Sequence, residues 1–266
     1  MSEEVGRKTT PAGTPLTGHP PEAQCERHER RIEALQEALV RNQAERDAFV
    51  YRVSHDLKAP VVALNGMASI LLEEYGERLE EQGKFYLQRL MVNAGLLERL
   101  LGDLLAYSRI GRKEPVLERF RPEEVIQKVM AEHADTVSRK GIGIELQSPL
   151  PEVSFDRGEF EQIFSNLLSN AILFVGDRSH PRIEIGGREE GARIEFYVKD
   201  NGIGIAPEYH DVIFGIFERL KEIETEGTGM GLALVKKIVD LADGKIWVES
   251  KKGEGAAFFL SLPKRL

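Results

Sequence analysis

Cysteine is almost missing: Cys25 stands alone in 266 residues, which excludes a disulfide framework and a cysteine-based zinc site and suits a reducing compartment. Long apolar runs are also missing. No stretch approaches the roughly 18–20 residues that span a bilayer, so direct membrane insertion is not expected. The first residues, MSEEVGRKTTPAGTPLTGHPPEAQ, carry acids and prolines but no apolar core, and do not read as a signal peptide. The net charge is −8 with no strongly basic block, which argues against a nucleic-acid footprint. A cytoplasmic protein is expected. With 41% hydrophobic residues the chain can still fill a core, in one large domain or two modest ones.

Residues 1–24 are rich in proline, glycine and threonine and read as a disordered tail. From 25 the pattern turns helical. Ile32, Leu35, Leu39, Asn42, Arg46, Phe49 and Val53 alternate in steps of three and four, the seam of a coiled coil. Asn42 at such a position fixes register, while Arg46 weakens the seam. His55, in YRVSHDLKAPV, falls two residues beyond Val53 and so off the seam, pointing outward. Pro60 lacks an N–H and is expected to bend the helix, after which Val61, Leu64, Ala68 and Leu71 resume the pattern. A second helix is predicted over 84–110, with Leu87, Leu90, Ala94, Leu97, Leu101 and Leu104 as its seam. Two such helices form an antiparallel hairpin, and pairing two hairpins gives a dimeric four-helix bundle. The alternative is packing of the hairpin against the rest of its own chain.

Beyond GRKEP the period changes. Strands are predicted at 116–120, 142–147, 182–188, 192–200, 244–252 and 256–263, with helices at 122–136, 155–175 and 229–243. That mixture suggests an α+β chain whose second half is a two-layer α/β sandwich.

Three segments of this half hold residues that packing alone would not select. In NLLSNA, Asn166 and Asn170 share one helix face, and an amide oxygen is a hard donor suited to Mg²⁺. Interior helix asparagines also occur for plain structural reasons. In DNGIGIAP, Asp200 closes a strand where it can accept a hydrogen bond from an amine such as that of adenine, and Gly202 and Gly204 permit close backbone approach. A tight turn would look similar. In GTGMGLALVKK, Gly227, Gly229 and Gly231 open a helix whose N–H groups can hold an anion. Neither a Walker A loop nor a Rossmann fingerprint is present. Between the last two segments, IFGIFERLKEIETE has the length and charge of a lid.

In this order, and with VSHDLKAPV ahead of them, the segments resemble the H, N, G1, F and G2 boxes of two-component sensor histidine kinases. They are particularly similar to the kinase modules of phytochrome-type sensors. The resemblance spans 45–266. It implies a coiled-coil linker helix at 25–48, a dimerisation and histidine phosphotransfer domain at 49–112, and an ATP-binding domain at 113–266. The latter would have the fold shared with gyrase, Hsp90 and MutL.

The same resemblance implies an ATP-dependent autokinase. His55 would be the phosphoacceptor and Asp56 the acid that orients the imidazole and takes its proton. Asn170 would be a Mg²⁺ ligand beside Asn166, and Asp200 the adenine reader. Phe174, Gly202, Gly204, Ile205, Arg219, Gly227, Thr228, Gly229, Gly231 and Leu232 would complete the nucleotide site. The phosphoryl group would pass to an aspartate on a separate response regulator receiver domain, with input from the short N-terminal segment or a separate sensor protein.

Two positions depart from the family pattern. Leu173 stands where the N box commonly has lysine, which predicts weak ATP turnover. Ala59 stands where relatives carry threonine or asparagine, and it cannot position a hydrolytic water. Poor phosphatase activity is expected. A degenerate kinase serving as a dimeric scaffold or phosphotransfer hub is the alternative. An ATPase clamp of the gyrase kind would leave SHDLKAP without a use.

Overall fold

The computed structural model describes residues 21–176, 178–219 and 227–264; residues 1–20 of the expected tail and the lid residues 220–226 lie outside them. Residues 21–24, expected as the end of a disordered tail, are helical because the helix starts with a proline at Pro21, where its missing N–H costs nothing. The chain divides into two compact units, Met1–Arg46 and Asp47–Leu266. In the first, the described part is helical, and Ile32 and Leu35 are exposed. The side chains of Leu39, Asn42, Arg46 and Phe49, four of the expected seam positions, are outside the described set.

Helix α1 (Pro21–Tyr75) runs through Pro60 without ending there. A single 3-10 turn at Gly76–Arg78 leads to α2 (Glu81–Arg109), which begins three residues before the expected start. Within the hairpin, each helix buries one residue in seven. On α1 these are Ser54, Val61 and Ala68, and on α2 Ala94, Leu101 and Ser108. The seam expected at Val53 is displaced by one position: Val53 is exposed and Ser54 is fully buried. Four of these six are serine or alanine, and Val61, Ala94 and Leu101 form the hairpin's buried apolar cluster. Leu57, Leu64 and Leu71 on α1, with Leu90 and Leu97 on α2, again seven apart, remain exposed.

The α/β domain follows. Strand β1 (Leu117–Phe120) pairs antiparallel with β3 (Val153–Asp156). The second of these was expected to be helix from Phe155 onward. Val153 and Phe155 are buried and alternate with the half-buried Ser154 and Asp156, a period of two that wins over the helical run behind it. Asp156 then caps α5 (Arg157–Phe174), its Oδ1 accepting from the N–H groups of Gly158 and Glu159 at 3.0 Å each.

The single helix expected over 122–136 is two, α3 (Pro122–Glu132) and α4 (Ala134–Lys140). They are broken at His133, whose backbone leaves the helical region. His133 Nε2 lies 3.3 Å from Ser169 Oγ on α5. Strands β2 (Gly143–Leu146), β4 (Arg182–Glu190), β5 (Arg193–Asp200), β6 (Lys245–Lys251) and β7 (Gly255–Pro263) form one sheet in the order β2-β4-β5-β7-β6. Only the β2–β4 pair is parallel.

One sheet face carries Ile183, Ile185, Ile194, Phe196, Val198, Phe258, Leu260 and Leu262, all buried in the same core as α3, α5 and α6 (Gly231–Leu241). Phe160 and Phe164 of α5 meet Phe196 of β5 edge to face at 5.5 and 5.9 Å. The other face holds a cross-strand aromatic row. Trp247 stacks on Phe259 at 5.4 Å, and Phe259 meets Tyr197 at 6.0 Å, whose hydroxyl donates to Glu184. Burial and that carboxylate push the Tyr197 phenol up to about 12. No described helix is long and apolar enough to cross a membrane.

Candidate functional site

A cleft of about 600 Å³ opens between α5, the loop after β5 and the start of α6. Asn166, Asn170 and Phe174 line it from one face of α5, each a turn apart. Asn166 donates through Nδ2 to the Gln162 carbonyl at 2.8 Å, which turns its Oδ1 toward α6. A Cβ at Gly231 would lie 2.7 Å from that oxygen, so only glycine lets the first turn of α6 come this close. Two amide side chains and a helix N-terminus therefore share one wall.

Asp200 ends β5 at the cleft floor and is 5% exposed. Its Oδ1 accepts from Gly202 N–H at 2.8 Å. Burial drives its carboxyl above the usual carboxylate range, opposed by the backbone N–H groups of Gly202 and Ala256. Gly202 does not itself line the cleft. A side chain there would collide with the Phe174 carbonyl, so its role is to let the Asp200 loop lie against the end of α5. The loop is stitched on both sides. Ile203 donates to the Phe174 carbonyl at 3.1 Å and accepts from Gly253 N–H at 2.6 Å, and Ile205 N–H donates to Ser250 Oγ at 2.8 Å. Arg178 spans the stitching: its Nη2 donates to the carbonyls of Gly202 at 2.8 Å and Gly253 at 2.5 Å.

Gly204, Ile205, Arg219, Gly227, Thr228, Gly229, Gly231 and Leu232 all border the same space. Leu173 borders it too, with its Cδ2 3.7 Å from where a Gly227 Cβ would stand. Tyr209, Ile213 and Phe258 add apolar wall. The reading of the sequence missed Arg178 and the two residues that α2 contributes, Arg99 and Asp103. Thr228 Oγ1 donates to Asp103 Oδ2 at 2.5 Å and accepts from Met230 N–H at 3.3 Å. Nothing in ERLLGDLLAY marks Arg99 and Asp103 apart from an ordinary solvated helix face.

His55 and Asp56 are not among the cleft residues. Their side chains are 70% and 80% exposed on α1. His55 Nδ1 lies 3.2 Å from Asp56 Oδ1. An ionised carboxylate only accepts, so this pairing puts the proton on Nδ1 and leaves the Nε2 lone pair facing solvent. Tyr51 stacks beside the imidazole at 6.4 Å and is itself capped by the guanidinium groups of Arg109 and Arg112.

Chemically, the cleft offers a buried carboxylate for a polar ring edge, apolar walls for the ring faces, hard amide oxygens and a glycine-opened helix start for anionic oxygens. Among the described residues no group of three or more acidic, histidine or cysteine side chains could hold a metal by itself. A site of one or two amide oxygens fits a cation that keeps waters and shares phosphate oxygens, as Mg²⁺ does.

Hairpin and cleft define a protein with an exposed histidine on a helical stalk and a small-molecule cleft in an α/β domain. Residues 45–113 match the His Kinase A (phospho-acceptor) domain, and 155–266 match the histidine kinase-, DNA gyrase B- and HSP90-like ATPase family. The chain thus carries the domain pair of two-component sensor histidine kinases.

It is 36% identical over 220 residues to the methanogenesis regulatory histidine kinase FilI of Methanothrix harundinacea, covering 83% of this chain and 25% of that one. It is 38% identical over 227 residues to the phytochrome-like protein Cph1 of Synechocystis sp., covering 85% and 30%. The chain therefore spans less than a third of these relatives. The crystal structure of full-length ShkA in complex with AMPPNP superposes with a TM-score of 0.64 at 27% identity, over 81% of this chain and 45% of that one.

Proposed function

We propose that the chain is an ATP-dependent protein-histidine autokinase that phosphorylates His55 and passes the group to an aspartate on a separate response regulator. The observation that carries this reading is the pairing of His55 with Asp56 on an exposed helix face. It yields a ring nitrogen ready to attack, in a chain that also holds a cleft suited to adenine and phosphates. In the step itself, the Nε2 lone pair forms the N–P bond to the γ-phosphorus while the bond from phosphorus to the β,γ-bridging oxygen breaks. ADP leaves with that electron pair. The imidazolium formed on attack loses its Nδ1 proton to Asp56, and a neutral phosphoimidazole remains. Asp56 thereby fixes the tautomer beforehand and stabilises the cation during transfer.

In this reading Asp200 accepts from the adenine amine, Phe174, Ile205 and Leu232 cover the ring, and Asn166 and the glycines at 227, 229 and 231 border the phosphates with Thr228 and Arg219. Asn170 would hold Mg²⁺, which when bound neutralises charge on the phosphate oxygens. Chain 25–48 serves as a coiled-coil linker, 49–112 as the dimerisation and phosphotransfer domain, and 113–266 as the ATP-binding domain. Dimerisation is supported by the uncovered leucines of the hairpin, which a second hairpin would bury in a four-helix bundle.

The test is incubation of the purified chain with γ-labelled ATP and Mg²⁺. An acid-labile, alkali-stable label that His55→Gln abolishes is expected. Absence of label, or label that survives His55→Gln, refutes the proposal.

A further inference from the structure

Asp103 belongs to the hairpin, yet its carboxylate stands in the cleft of the other domain. It accepts a hydrogen bond from Thr228 Oγ1 at 2.5 Å, three residues before the first turn of α6. That hydroxyl, with the helix start behind it, is a place for an anionic oxygen. In this structure the anion there is supplied by the chain itself.

We infer that Asp103 is an affinity-setting residue of the nucleotide site, an internal anion that a polyphosphate must displace from Thr228. The inference rests on the proposed nucleotide reading of the cleft and extends it across the domain boundary. Two further contacts make the placement of Asp103 more than a chance touch. Lys237 of α6 donates to the Tyr107 carbonyl of α2 at 2.9 Å, and its ammonium sits 4.3 Å from the centre of the Tyr107 ring. Asp103 and Tyr107 are one turn apart on α2, so a single helix face grips both Thr228 and the middle of α6.

The charges around the cleft give the sign. Among the described residues its cations are Arg99, one turn before Asp103, and Arg219, and its carboxylates are Asp103, Asp200 and Glu218. A triphosphate entering with Asp103 in place meets a like charge at the oxygen position on Thr228. Displacing Asp103 removes that repulsion and frees the hydroxyl to donate to phosphate. Adenosine, without phosphates, has no such conflict.

The hairpin register adds a consequence. Tyr51 meets Arg109, and Ser69 meets Met91, so Asp103 lies level with Leu57, two residues from His55. At roughly 1.5 Å per residue, the contact that phosphate breaks lies about 3 Å along the stalk from the acceptor. Charge on the nucleotide is then read at the height where it is to be used.

The experiment compares the whole chain with Asp103→Asn and Asp103→Ser by calorimetric titration with AMPPNP, ADP and adenosine. Circular dichroism melts confirm that each variant is folded, and the serine variant serves if the asparagine one is not. Both substitutions are expected to tighten AMPPNP roughly two- to fivefold, the range for one partly exposed charge. They should tighten ADP less and leave adenosine unchanged, and the gap from the natural protein should shrink as salt is raised. Unchanged or weaker AMPPNP binding overturns the inference, as does equal tightening of adenosine, which would mark a steric obstruction. If no adenine ligand binds even the unsubstituted chain, the nucleotide reading itself fails and the inference with it.

Discussion

Replacing Asp200 with asparagine should weaken nucleotide binding while relieving a cost that the fold carries. The carboxylate accepts backbone N–H groups from Gly202 and Ala256 inside an almost closed floor, and burial raises its pKa above the ordinary value of 3.8. An asparagine would turn its single oxygen to those N–H donors. Its NH₂ would then face the cleft, where the adenine amine also donates. The loss is one hydrogen bond to a charged acceptor, about 1.5–3 kcal/mol, or roughly ten- to 150-fold in Kd.

Stability moves the other way. A carboxyl whose folded pKa is raised favours the fold only when protonated. That contribution is complete below the unfolded value and is lost as pH rises through the folded one. Asp200→Asn should therefore be at least as stable as the natural protein at pH 7, and its advantage should narrow as pH falls toward 4. Titration with ADP and denaturant melts from pH 4 to pH 8 measure both effects. A variant that binds ADP undiminished and melts lower at pH 7 would refute the reasoning.

Arg178→Ala removes the bridge between the Gly202 and Gly253 carbonyls. ADP affinity should drop about five- to tenfold, as expected for two such bonds at a partly exposed site, with a smaller loss for Arg178→Lys; titration reads both. Leu173→Lys places an ammonium group beside Gly227 and should raise the initial rate of His55 labelling roughly two- to fivefold, the size of one partly exposed charge interaction. Leu97→Glu puts a charge on the uncovered hairpin face and should shift the chain from dimer to monomer in sedimentation experiments, with the melting of the α/β sheet unchanged.

Much of this molecule was legible in advance because backbone and side-chain demands coincide there. The asparagines of α5, Asp200, Gly204 and the glycines of 227–231 fall in short local patterns, and the fold gathers them into one cleft, with Gly202 in the loop behind it. What could not be read depends on contacts distant in sequence. Strand β3 exists because Val153 and Phe155 find β1, with Phe155 opposite Glu118, 37 residues earlier. Without that partner, FDRGEF reads as the start of a helix. The hairpin seam sits at Ser54 rather than Val53, four of its six buried positions being serine or alanine, and hydrophobicity alone favours the larger neighbour. Arg178 and Asp103 carry no local signal. One acts through carbonyls of two loops, and the other through a helix that belongs to a different domain.

The row on the outer sheet face offers a convenience to the experimenter. Trp247 is the sole tryptophan, and it leans on Phe259, whose neighbour Phe258 points the opposite way into the cleft side. Intrinsic fluorescence excited at the indole band therefore watches the back of the sheet. It should report melting of the α/β domain cleanly, and stay nearly silent when a ligand enters on the far side.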